Sequence, residues 1–194
     1  VDIAVAKRPL AGWPSCGDDA RYWRDEERVL LCIVDGLGHG PEAEEAAQAA
    51  MAYVEAHRHE SLPEILAGCD RAIHHTRGVA MGLARVHLRR KKLTFAGVGN
   101  TCLLIWRGAQ WMRFASANGI IGARFRRVSP EEIRLSAGDL GIMMTDGVSN
   151  QIDLSRYGSL PWQDLEAFAQ RLLTDWALPG DDAAVISFRI GAER

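Results

Sequence analysis

Apolar positions along the chain follow two rhythms, short unbroken runs and helical stripes, and their order predicts the architecture. The first clear run, Val29-Leu30-Leu31-Cys32-Ile33-Val34, is unbroken, as expected for a strand covered on both faces. It stops at Asp35-Gly36-Leu37-Gly38-His39-Gly40, whose glycines permit tight turns and close backbone approach. Pro41 suits a first helical position, and Glu42, Glu44 and Glu45 follow where the helix dipole favours acids. The alanine-rich stretch through Tyr53 and Val54 predicts a helix. A second helix is predicted to begin at Ser61 as N-cap, with Pro63 and Glu64 in its first turn. It places Ile65, Leu66, Cys69 and Ile73 on one apolar face. Small residues along the first helix predict that the two helices lie close together.

Beyond Gly78 the rhythm predicts strands. Segments 79–88 and 93–98 flank Arg89-Arg90-Lys91-Lys92, and 101–106 and 110–114 flank Arg107-Gly108, each pair reading as a hairpin. Segments 133–135 and 140–145 bracket Ser136-Ala137-Gly138-Asp139 and predict another hairpin in the same manner. A helix over 162–176 carries Leu165, Phe168, Leu172 and Leu173, and 183–190 closes the chain as a strand. This order predicts antiparallel sheets faced by helices, the α+β class. The length of 194 residues fits a single domain over 1–194.

Composition narrows the function classes. A net charge of −2 gives no global basic field for nucleic acid, and the Arg89–Lys92 run reads as a solvated turn. Cys16, Cys32, Cys69 and Cys102 lack C-x-x-C spacing, so neither a zinc site nor a disulfide framework is expected. That usage suits a reducing compartment, with Cys32 and Cys102 packed as small hydrophobes. No apolar run is long enough to cross a bilayer and no secretion signal is seen, so a cytoplasmic protein without membrane contact is expected.

Candidate chemistry resides in aspartates at strand ends. Asp18 lies in Cys16-Gly17-Asp18-Asp19 before a strand-like segment, and Asp35 follows the most hydrophobic strand of the first half. Asp146 follows Ile142-Met143-Met144-Thr145 and precedes Gly147; Asp181 sits in Pro179-Gly180-Asp181-Asp182 before the last strand. Each alone reads equally well as turn chemistry. Together they form a set of hard oxygen donors that suits Mg²⁺ or Mn²⁺ rather than zinc.

In chain order, Gly17-Asp18, Asp35-Gly36-Leu37-Gly38-His39-Gly40, Val98-Gly99-Asn100, Thr145-Asp146-Gly147 and Asp181-Asp182 resemble the PPM (protein phosphatase 2C-like) family. The resemblance is to its bacterial branch, typified by SpoIIE, RsbU and RsbX. Compact length and Arg77-Gly78-Val79-Ala80 resemble the RsbX type, the stressosome phosphatases. The resemblance implies a β-sandwich of two antiparallel sheets flanked by α-helices, four layers in α-β-β-α order. It implies a serine/threonine protein phosphatase with two Mn²⁺ or Mg²⁺ ions. Asp35 would bridge the ions with the Gly36 carbonyl on one of them, and Asp146 and Asp181 would serve the other. Asp18 would complete the site directly or through water, and Asp181 ranks above Asp182 as ligand. Asp35, Asp146 and Asp181 are thus the implied catalytic residues.

The resemblance also implies phosphorylated STAS-domain proteins of a stressosome-like complex as substrates, or else a phosphorylated anti-sigma-factor antagonist. His39 is a candidate proton donor for the leaving oxygen or simply a loop residue, and His57, His59, His74 and His75 read as helix surface. Two departures stand out. Asn100 occupies a position where many relatives carry Asp, and no arginine precedes Gly17-Asp18 in the manner of the animal enzymes' phosphate-binding arginine, so phosphate binding is expected to rest on the metals and on protein docking. Segment 116–129, with Arg124, Arg126 and Arg127, reads as a solvated loop or as a contact for an acidic partner. A nucleotide-binding loop is a poor rival, since the spacing is G-x-G-x-G and no Walker lysine follows. A catalytically silent regulatory module on the same fold is the other rival.

Overall fold

The structure, a computed structural model, describes residues 1–125 and 127–191. Alternation along the third strand sets the layering. In β3 (Arg28–Gly36), Val29, Leu31 and Ile33 enter a core between two sheets, while Leu30, Cys32 and Val34 enter a second core beneath helices. All six are buried, which is why the run has no polar alternation.

β3 is flanked by β2 (Asp18–Arg24) and β4 (Val79–His87), and beyond β4 lie β5 (Lys92–Val98) and β10 (Glu131–Arg134). The second sheet runs β1 (Asp2–Arg8), β12 (Ala183–Arg189), β11 (Leu140–Met144), β6 (Cys102–Arg107) and β7 (Gln110–Ala115). Both sheets are antiparallel in every strand pairing. Phe95, Phe114, Met143, Ile186 and Phe188 fill the space between them. α1 (Pro41–Ala56) and α2 (Leu62–Ala72) cover the first sheet, and α4 (Leu165–Trp176) covers the second. The result is the α+β sandwich in four layers that the residues and the resemblance predict.

Local chemistry explains most boundaries. Ser61 caps α2 in a capping box: the Glu64 N–H donates to its Oγ at 3.4 Å and its own N–H donates to Glu64 Oε2 at 3.0 Å. The β6–β7 turn is Gly108-Ala109, both at positive φ (56° and 69°), which matches the twist of a two-residue hairpin. The α1 alanines 43, 46, 47 and 50 are buried, with 46, 47 and 50 in the core shared with the sheet. The tight helix–helix approach is made instead at Gly68 of α2, where a Cβ would lie 1.9 Å from the Tyr53 hydroxyl.

Four expectations change. β1 carries only a weak apolar rhythm and escapes the sequence pattern. Segments 133–135 and 140–145 do not form a hairpin: β10 pairs with β5 in one sheet and β11 with β6 and β12 in the other. The 136–139 turn therefore crosses between sheets. It is fastened by Asp139, 1% exposed, whose carboxylate accepts from the Ser136 N–H at 2.8 Å and from Arg107 Nε at 2.8 Å. The helix over 162–176 is two helices, α3 (Leu160–Gln163) and α4, because extended Asp164 breaks the run and caps α4 through the Ala167 N–H at 2.9 Å. Segment 116–129 is not a solvated loop. It holds the small hairpin β8 (Gly119–Ile120) and β9 (Arg124–Phe125), buries Ile121 and Val128, and is tied to α2 by Gly122 N–H donation to Asp70 at 2.7 Å. Arg126 lies outside the described residues. Among the described residues no helix is long and apolar enough to cross a membrane.

Candidate metal centre

Strand register brings the predicted aspartates together. β2 and β3 pair Asp18 directly with Asp35. Asp18 shares its face with Ala20 and Asp35 shares its face with Ile33, so both carboxylates sit on the inter-sheet side. From the other sheet, Asp146 follows β11 and Asp181 precedes the adjacent β12. Those two ends are held by a pair of backbone-directed bonds, Ala184 N–H to Thr145 Oγ1 at 3.0 Å and Thr145 N–H to the Ala184 carbonyl at 3.2 Å.

The glycines beside these aspartates have a packing reason. A Cβ on Gly36 would stand 2.2 Å from the Ala43 carbonyl oxygen, and one on Gly147 would stand 1.8 Å from the Asp182 carbonyl oxygen. Backbone from α1 and from the β12 approach therefore closes directly onto the two Asp-Gly steps. Only glycine lets the chain segments bearing the carboxylates converge so closely.

Burial and mutual repulsion then set the electrostatics. Asp18 is 2% exposed and its Oδ2 has no hydrogen-bond partner. Its pKa is pushed up to about 9, first by desolvation and then by the charge of Asp35, with the Thr145 hydroxyl opposing. Asp35 is raised to about 7 by burial and by Asp146, with a hydrogen bond from Asn100 opposing. Asp181 is also raised, by burial and then by Asp146. Asp18, Asp35 and Asp181 are thus each penalised by a neighbouring carboxylate. Among the described residues no three acidic, cysteine or histidine side chains close into a single tight cage.

The residues fit a hard divalent cation. A buried carboxylate oxygen without a donor, facing a second carboxylate, is stabilised by positive charge and by little else. All the side-chain donors are oxygens, with main-chain carbonyl oxygen close by at Gly36. Asp182 is different: its two oxygens accept from the Leu10 N–H at 2.7 Å and the Gly17 N–H at 2.9 Å. It fastens the segment entering β2.

Two neighbours acquire roles that the sequence did not assign. Asn100 Nδ2 donates to Asp146 Oδ2 and Asn100 also bonds Asp35, so it links carboxylates from the two sheets. Arg77 flanks the 35–40 loop, ion-paired with Glu42, and its Nη1 occupies space that a Cβ on Gly38 would need. His39 is exposed, packs on Trp13 at 4.9 Å between ring centroids, and its charge is felt by Asp181. His57 and His74 sit just past the ends of α1 and α2, His57 Nδ1 bonded to the Tyr53 carbonyl and His74 Nδ1 to that of Arg71. All four cysteines are buried and unpaired.

Residues 25–191 match the model of the family described as stage II sporulation protein E (SpoIIE). The chain belongs to the SpoIIE family. Phosphoserine phosphatase RsbX of Bacillus subtilis (strain 168) is 27% identical over 90 residues, 46% of this chain; the match spans about half the length of that relative, 45%. A chain solved in work on the bacterial stressosome, a modular system adapted to control secondary messenger signaling, superposes with a TM-score of 0.88. It is 28% identical, with 96% of this SpoIIE-family chain and 97% of the other covered. RsbX in complex with magnesium superposes with a TM-score of 0.83 at 21% identity, covering 95% and 92% of the two chains. The SpoIIE-family assignment agrees with the branch implied by the ordered motifs, and the superpositions agree with the sandwich.

Proposed function

We propose that this SpoIIE-family chain is a metal-dependent protein serine/threonine phosphatase whose two Mn²⁺ or Mg²⁺ ions are held by Asp18, Asp35, the Gly36 carbonyl, Asp146 and Asp181. The observation that carries this reading is the buried Asp18 oxygen without a partner, set opposite Asp35 in register. When bound, such ions neutralise phosphate charge and activate water for attack on phosphorus. Asp35, neighbour of both Asp18 and Asp146, would hold the ions together with those two carboxylates. Asn100 orients Asp146 and Asp35 against each other, and Asp182 holds the Gly17 backbone so that Asp18 stays in line with Asp35. No arginine precedes Gly17-Asp18 in the manner of the animal enzymes' phosphate-binding arginine, so substrate affinity is assigned to the metals and to protein docking. His39, exposed at the rim, is the candidate to protonate the leaving oxygen.

The proposed substrates are phosphorylated STAS-domain proteins of a stressosome-like complex. The similarity to a phosphoserine phosphatase and to a chain from stressosome work supports that choice. Incubation with each phosphorylated STAS protein, followed by intact mass, is expected to show phosphate loss that needs Mn²⁺ or Mg²⁺ and stops in Asp35→Asn. Equal activity in Asp35→Asn would overturn the phosphatase reading. Activity confined to an anti-sigma-factor antagonist would move the substrate assignment while leaving the enzyme in place.

A further inference from the structure

At the far end of the first sheet, the strands that carry the aspartates build a site of opposite sign. Arg28 and Asp35 stand seven residues apart on β3, about 23 Å at a strand's rise. Strand register sets Trp23, Leu30 and Arg85 abreast across β2, β3 and β4. Leu30 points to the helix-covered face. A small cleft of about 70 Å³ opens there, lined by Trp23, Arg24, Arg28, Arg58, His59 and Arg85.

Arg85 is unusual in this cleft. It is 7% exposed, and its Nη2 donates to a neutral acceptor, the Arg58 carbonyl, at 2.7 Å. Arg24 and Arg58 likewise donate to carbonyls, those of Val1 and Glu55. Among the described residues none of the four arginines lies within ion-pair distance of a carboxylate. Asp25 also lines the cleft, but its Oδ1 is used by the backbone N–H groups of Glu27 (2.9 Å) and Arg28 (2.7 Å) to fold the β2–β3 turn. A buried guanidinium without a carboxylate is costly, and neighbouring cations add to the cost. In agreement, the Arg85 pKa is lowered by desolvation and then by Arg28.

We propose that this cleft binds a small phosphate-bearing anion. Guanidinium groups match phosphate oxygens as paired donors, and several converge here on one concavity. The burial of Arg85 selects for size: a phosphate group reaches it, whereas the surface of a folded acidic protein does not. Trp23 adds an aromatic wall on which the base of a nucleotide can stack. The anion is therefore either free phosphate or a nucleoside phosphate, and the two are distinguished by what Trp23 contributes.

Calorimetric titration of inorganic phosphate and of AMP into the full chain tests the proposal, in chloride buffer with EDTA so that the acidic end holds no metal. Saturable binding is expected in the unaltered protein and in Asp35→Asn. It is expected to weaken at least about tenfold in Arg28→Gln/Arg58→Gln, whose exposed or half-exposed side chains can change without disturbing the core. Tighter binding of AMP than of phosphate, lost in Trp23→Leu, identifies a nucleoside phosphate; equal affinities identify phosphate alone. Absence of saturable binding of either anion overturns the proposal. So does binding that disappears in Asp35→Asn but ignores the arginine substitutions, or a cleft that responds only to poly-glutamate.

Discussion

The two ends of the first sheet solve opposite electrostatic problems with the same three strands. At one end Asp18 and Asp35 face each other in register, and at the other Arg28 and Arg85 flank a cleft without a carboxylate partner. Elsewhere the protein buries aspartates at no such cost. Asp139 is wrapped by Arg107 and the Ser136 N–H, Asp182 by two backbone N–H groups, and Asp19 by Lys7 and Arg21. Partnership, rather than burial, separates a carboxylate that fastens the fold from one that awaits a ligand.

The largest effect expected from breaking this contrast is on turnover. Asp35→Asn is expected to lower metal-dependent phosphate release by at least about 100-fold, since it removes a ligand rather than a supporting contact. Thermal melts of the metal-free form should show no loss of stability, because the substitution also removes a repelled charge. A large fall in that melting temperature would contradict the view of the Asp35 charge as a net burden on the metal-free fold.

Asp139→Ala should do the reverse. Loss of a buried, fully bonded partner is expected to cost about 3–5 kcal/mol in denaturant unfolding, with turnover per folded molecule unchanged. A loss near zero would show that the sheet-crossing turn does not depend on this ion pair.

Acidity provides a third comparison. In the metal-free protein, Asp18 (about 9) and Asp35 (about 7) lie above their ordinary value near 3.8. The native state then binds more protons than the unfolded chain between those limits, so stability is fullest at low pH and falls as pH rises from about 4 to 9. The expected loss is on the order of a few kcal/mol, and saturating Mg²⁺ or Mn²⁺ should flatten it by stabilising the charged forms. A metal-free melt that rises through neutral pH would reverse the sign and reject the raised values.

The smallest effect belongs to the basic end. Arg28→Gln is expected to leave metal-dependent hydrolysis of a small aryl phosphate within about twofold of the parent, since the residue lies a strand's length from the aspartates. A larger loss would mean that the two ends are coupled.

Sequence rhythm made the sandwich legible wherever burial was one- or two-sided and continuous, as in β3 and α4. It failed where the partner strand mattered more than the segment itself. The 136–139 turn has hairpin composition, yet the tie to Arg107 and the pairing of β10 with β5 send the chain to the other sheet. β1 has too few apolar positions to announce itself and is recruited by β12. The acidic site was legible as Asp-Gly steps in order, but Asn100 as a link between Asp35 and Asp146 was not, because a lone Asn carries no signal until two sheets bring its acceptors together. The basic cleft was hidden for a similar reason: Arg28, Arg58 and Arg85 are far apart in the chain and ordinary in composition.

The position of β12 carries a consequence for the order of assembly. It lies between β1 and β11, second in one sheet's hydrogen-bonded row, and Asp181 stands just ahead of it. During synthesis, β1 and β11 therefore wait without a common neighbour until this strand is made. Such distant pairing is slow to form and leaves strand edges open in the meantime. A ribosome-bound chain halted before Ala183 should have most of its helices and half of its sandwich but no capacity for turnover.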